Sequence, residues 1–160
     1  MIVQIPVIGI PNWQWKKDLI ELAERKPNIH TLDIRDFCHE CSRHKSMLEF
    51  FDGGNNGVLE NNKYYIYHRK LGRDPPAIGK RMRKFQKLYQ SIKKKGCQVP
   101  PIITADGCRL NGSHRIAILN HLGVKQSHVN VVCYEDHYTQ KKSQKIRKQV
   151  VQYRKEVYGL

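Results

Sequence analysis

Apolar positions recur along the chain in two rhythms, one of three to four residues and one of two, and each predicts a kind of element. After an extended opening segment at 2–10 and a Pro11-Asn12 break, Trp15, Leu19 and Leu22 fall at helical spacing until Pro27 stops the run, which predicts a short amphipathic helix. IHTLDIRDF (29–37) alternates apolar and polar residues and predicts a half-buried strand. FCHECSRHKSMLEFF predicts a second helix, closed by the turn-rich DGGNNG at 52–57. KYYIYHR (63–69), with aromatics interleaved among cations, reads as a strand or extended segment.

The longest stripe is Ile78, Met82, Phe85, Leu88 or Tyr89, and Ile92, bounded by Pro75-Pro76 and Gly96. Lys80, Arg81, Arg83, Lys84 and Lys87 fall mostly off this stripe, so one face of the predicted helix packs and the other is basic. VPPIIT (99–104) predicts a strand whose prolines put its start at an edge, Asp106-Gly107 a hairpin turn, and CRL the returning strand. A short helix follows over Ser113–Leu122, with Ile116, Ile118 and Leu119 inward and Gly123 closing it, and HVNVVCY (128–134) alternates as a strand. Ile146, Val150, Tyr153 and Val157 mark a terminal helix. The order from 77 to 134 is therefore helix, strand, turn, strand, helix, strand, which is an α+β arrangement.

The 160 residues suffice for one domain with a real core. Within it, 1–60 reads as an N-terminal region packed on a core at 61–136, followed by a basic C-terminal helix at 137–160. Charge sharpens the picture. Residues 1–60 carry 7 Lys/Arg against 9 Asp/Glu, whereas 61–160 carry 22 against 5, so the net charge of +15 belongs to the second part of the chain. Clustered cations of that excess favour a polyanionic partner, nucleic acid or a phosphorylated ligand. Five cysteines, an odd number without the spacing of a disulfide framework, favour reduced thiols and a cytoplasmic setting. The first residues lack the pattern of a secretory leader, and nothing approaches a membrane-spanning run, so no membrane partner is expected.

One stretch raises a chemical question. In RLNGSHRIAILNHLG (109–123), Asn111 or Ser113 can cap the predicted helix, yet a histidine and an arginine follow in its first turn. A cation there opposes the helix dipole. The placement makes sense if a phosphate sits at the same helix start and the arginine completes its site.

These residues also carry a likeness. Leu88 to Val132 contains Ser91-Ile92 followed by Gly96, a Pro101-Ile102 strand, the Asp106-Gly107 turn, and Gly112-Ser113-His114-Arg115 opening a helix that ends at Leu122-Gly123. That sequence of features resembles the core of the ParB/sulfiredoxin-like superfamily. The resemblance implies a small mixed sheet with helices around it, and a nucleoside triphosphate, ATP or CTP with Mg²⁺, held by its phosphates at Gly112, Ser113, His114 and Arg115. Members include chromosome-partition proteins that bind CTP and DNA, sulfiredoxins, free-amino-acid kinases, and proteins with DNase or ATPase activity. Ser113 stands where sulfiredoxins carry a cysteine, which disfavours sulfinic acid reduction. No helix-turn-helix pattern follows the core.

Phosphoryl transfer needs a carboxylate, and the kinase members of the superfamily point to the 29–40 region, where Asp36 or Glu40 is available as catalytic acid beside His114. Cys38, His39, Cys41 and His44 are a tempting zinc set, but tetrahedral zinc favours two well-separated pairs, and the remaining cysteines are isolated, so no metal site is assigned. Arg81, Lys84 and Lys87 on the middle helix and Lys141, Lys145 and Lys148 on the last are the candidates for nucleic-acid contact. Tyr64, Tyr65 and Tyr67 can stack on unpaired bases, although burial of one set in the core is the simpler reading. The expected function is a nucleotide-dependent phosphotransferase or hydrolase acting on or with nucleic acid, with a homodimer possible. The alternatives are a non-enzymatic DNA- or RNA-binding module, or a nuclease.

Overall fold

A computed structural model describes residues 7–37, 41–53 and 58–160. The expected α+β class is what the chain adopts. Five strands, β1 (Ile8–Gly9), β2 (Ile29–Asp33), β3 (Ile102–Thr104), β4 (Cys108–Asn111) and β5 (Gln126–Val132), form one sheet in the order β1-β4-β3-β5-β2. β1 runs parallel to β4 and β3 parallel to β5, while β3–β4 and β2–β5 are antiparallel. Around the sheet lie α1 (Gln14–Arg25), α2 (Ile34–Phe37), α3 (Ser42–Phe51), α4 (Lys63–Lys70), α5 (Pro75–Lys95), α6 (Ser113–His121) and α7 (Gln140–Tyr158).

Strand alternation divides the core in two. Ile103, Val129 and Val131 point to one face of the sheet, where they meet Met47 and Leu48 of α3, Phe85 of α5 and Ile116 of α6. Ile102, Leu110 and Val132 point to the other, against Leu19 of α1 and Ile146 and Val150 of α7. The first sixty residues therefore do more than pack on a core, because they supply both outer strands of the sheet. Among the described residues, no helix is long and apolar enough to cross a membrane.

The segment expected as a strand at 63–69 is instead α4. Asn62 caps it by accepting the Tyr64 amide, and Tyr64 and His68, four residues apart, turn inward while Ile66 and Tyr67 stay exposed. Local β-propensity of the aromatics loses to a cap and to helical burial. The strand expected over 29–37 stops at Asp33, whose carboxylate accepts the Arg35 amide and turns the chain into α2. Of the extended segment expected at 2–10, only Ile8–Gly9 pairs as a strand among the described residues; 1–6, 38–40 and 54–57 lie outside them. Along α7, Ile146 and Val150 are buried as expected, but Val157 is 56% exposed and Arg154 takes the inward position, its guanidinium donating to the Asp106 carbonyl.

Candidate functional site

The site begins where β4 passes into α6. Alternation along β4 buries Cys108 and Leu110, which leaves Arg109 and Asn111 on the opposite face. Gly112 then makes the turn at φ +100°, and a Cβ there would lie 3.0 Å from the Pro101 backbone, so only glycine fits. The first helical bond runs from the Ile116 amide to the Gly112 carbonyl at 2.9 Å. The amides of Ser113, His114 and Arg115 have no acceptor within the helix. Neither Asn111 nor Ser113 caps it, contrary to the sequence reading, since Gly112 is the cap residue and no side chain bonds to the helix start.

Beside the start of α6, at Gly112 and Ser113, is a hollow of about 180 Å³ that brings together Lys16 of α1, Arg43 of α3 and Arg109 of β4 with Gly9 and Asn111–Ser113. Among the described residues its lining contains three cations, Lys16, Arg43 and Arg109. Lys16 donates to the Ile10 carbonyl at 3.3 Å, and burial, followed by the charge of Arg109, holds its pKa below the ordinary lysine value. Gly9 makes room for Arg109, whose guanidinium lies 2.7 Å from where a Cβ on Gly9 would be.

A second, larger cavity of about 470 Å³ adjoins the same turn, walled by Leu88, Ile92, Cys97 and Val99 and sharing Asn111, Gly112 and Ser113 with the first. Arg115 lines it too. Its guanidinium donates one N–H to the Val99 carbonyl at 2.9 Å and so braces the 96–101 loop against α6. The expected phosphate clamp thus stands in the wall of the apolar cavity, whereas Lys16, Arg43 and Arg109 surround the helix start.

His114 does not add a cation to the first turn of α6. Its ring packs 4.6 Å from both His44 and Phe85, and its Nε2 is 3.3 Å from the Tyr64 hydroxyl. Burial, then the nearby His68 and the Arg43, Arg81 and Arg109 charges, lowers its pKa to about 4. Burial likewise lowers His44 to about 3 and His68 to about 4, with cationic neighbours adding to both. His68 is further engaged by Arg73, 2.8 Å from its Nδ1. The three imidazoles are neutral near pH 7.

Of the remaining candidates, Asp36 sits on α2, which leaves β2 beside the C-terminal end of α6, and it lines neither cavity at the helix start. Glu40 lies outside the described residues, as do Cys38 and His39 of the zinc reading. No group of three or more potential metal ligands occurs among the described residues. Arg81, Lys84 and Lys87 belong to α5 and Lys141, Lys145 and Lys148 to α7, helices packed on opposite faces of the sheet, so the two triplets do not share one surface.

Lys16, Arg43, Arg109 and Gly9 were not evident as site residues from the sequence. Only Arg109 left a signal there, since it stands two positions before Asn111 on a predicted strand and therefore on the same face. Lys16 and Arg43 reach the site through tertiary packing alone. No protein-family model matches the chain, and no curated protein or solved structure shows a significant likeness to it.

Proposed function

We propose that the protein binds a nucleoside triphosphate, ATP or CTP, with its phosphates among Lys16, Arg43, Arg109 and the first amides of α6, and uses it in phosphoryl transfer or hydrolysis on or beside a nucleic acid. The observation that carries this reading is the cationic hollow itself. Lys16, Arg43 and Arg109 converge on one small hollow beside the start of α6, and the burial of Lys16 beside Arg109 costs free energy that a bound polyanion offsets. The adjoining apolar cavity lies within the roughly 300–1,000 Å³ of small-molecule sites, a size and character that suit a base and sugar. Both hollows meet at Asn111–Ser113, so one ligand with a charged end and a planar end fills them together.

Among the described residues the lining offers Mg²⁺ no carboxylate, and the arginines and lysine take the part of neutralising the phosphates. Ser113, which borders both hollows, supplies a hydroxyl at the phosphate end; neutral His114, its ring nitrogen held by Tyr64, lines the adjoining cavity.

Calorimetric titration with ATP and with CTP, each with Mg²⁺, tests the reading. One of them binds the wild type, and Arg115→Ala, by freeing the 96–101 loop, weakens it roughly tenfold, the equivalent of one charge-assisted hydrogen bond. Failure of both nucleotides to bind rejects the reading. The excess of 22 Lys/Arg over 5 Asp/Glu in 61–160 favours a second reading, a non-catalytic nucleic-acid module whose helix start holds a backbone phosphate. Such a module contacting 6–10 phosphates loses on the order of 10³-fold or more in affinity between 50 and 200 mM salt, far more than a single-nucleotide pocket.

A further inference from the structure

We infer that α4 and α5 carry a separate binding place for single-stranded nucleic acid, in which one unstacked base enters the hollow formed by Tyr64, Phe85, Leu88 and His114 while the flanking phosphates lie on Arg81 and Lys84. This rests on the reading of nucleic acid as the partner and gives that partner a location and a form.

The hollow measures about 210 Å³, below the lower end of pockets that enclose a whole small ligand, so it suits a single ring system whose sugar and phosphates remain outside. It is lined by His114 and Leu88, both partly exposed, together with the buried aromatic residues Tyr64 and Phe85. Tyr64 and Phe85 are stacked on each other with centroids 5.7 Å apart, and their burial fixes the walls before any ligand arrives. Arg81 and Lys84, three residues apart on α5 and exposed, form the rim. A ring-lined pocket with a cationic rim is what an extruded base and its phosphates require, and a duplex, whose bases are stacked inside, cannot fill it without opening.

Charge favours the same occupant. Residues 63–95 carry 12 Lys/Arg against one acidic residue, Asp74, whose carboxylate is engaged in capping α5 through the Ala77 amide. The positive track also reaches the nucleotide hollow. Arg43 lines that hollow, packs 4.0 Å over the Tyr67 ring of α4, and is felt at Tyr64, His68 and His114 together with Arg81. His114 is a wall of both the apolar nucleotide cavity and the base hollow, which brings a captured strand next to the bound triphosphate.

The test is fluorescence anisotropy of the full chain with a labelled single-stranded oligonucleotide, its duplex, and an oligonucleotide of the same length with abasic positions. The expected order is single strand first, with the abasic strand roughly tenfold weaker from loss of one stacked base. The double variant Arg81→Ala/Lys84→Ala binds the single strand at least tenfold more weakly, yet binds free ATP or CTP as the wild type does, which also shows that it folds. Lys16→Ala/Arg109→Ala has the reverse pattern. Equal affinity for intact and abasic strands, preference for the duplex, or indifference to Arg81→Ala/Lys84→Ala overturns the inference. Loss of nucleotide binding in the wild type, with strand binding sensitive to Arg81 and Lys84, overturns the nucleotide reading and leaves this one standing.

Discussion

The guanidinium of Arg109 lies across Gly9, 2.7 Å from the point a Cβ would occupy, so β1, a strand of two residues paired with β4, leaves room for a charged side chain of its neighbour. Glycine at position 9 is thus a spatial requirement of the cationic hollow. Gly9→Ala pushes the end of a flexible side chain and not the backbone, and the stability change is expected to stay within about 1 kcal/mol. Nucleotide affinity, by contrast, falls roughly tenfold as Arg109 is turned away from the α6 amides. Thermal unfolding together with calorimetry separates the two effects.

Gly112 is a different case, because both the backbone and its neighbour resist a side chain. At φ +100° with Pro101 3.0 Å from the virtual Cβ, Gly112→Ala combines left-handed strain with a backbone clash. A loss of about 2 kcal/mol or more in denaturant unfolding is expected. Gly79→Ala serves as its counterpart: Gly79 sits within α5, the added methyl meets only the end of Arg83 at 3.4 Å, and a gain of about 0.5–1 kcal/mol is expected.

The histidine row makes stability depend on pH in a definite direction. His44, His68 and His114 have folded-state pKa values near 3, 4 and 4, below the ordinary 6.5. Below pH 6.5 the unfolded chain takes up protons that the folded one refuses, so the stability they contribute is fully present above 6.5 and is lost as pH falls toward 3–4. The midpoint of thermal unfolding therefore drops steadily between pH 6.5 and 4. His44→Phe, which removes a buried Nδ1 lacking a hydrogen-bond partner and keeps an aromatic ring beside His114 and Phe85, flattens that slope. An unchanged slope in the variant contradicts the assignment of His44 as a neutral buried group.

The extent to which the sequence discloses this molecule follows the range of the forces involved. The order of elements from α5 to β5 is local in origin, since Asp74 and Pro75 start α5, Gly96 ends it, and Asp106-Gly107 turns β3 into β4. α4 escapes that reading because its aromatic residues are also good strand formers. What decides the matter is the Asn62 cap and the burial of Tyr64 against Phe85, the latter 21 residues away. The helix start at Gly112 is legible as a phosphate-binding feature, yet the charges around it are not. Lys16 and Arg43 arrive from α1 and α3, and the neutrality of His114 depends on the company of His44, Phe85 and Tyr64.

Direct observation of the α6 amides tests the central claim. In amide-resolved NMR of the labelled protein titrated with ATP and with CTP, the account predicts that one nucleotide produces its largest shifts at the amides of Ser113, His114 and Arg115, with accompanying shifts at Gly9 and Arg109. Nucleotide-induced shifts that leave these amides unmoved, or that cluster on α5 or α7 alone, contradict it.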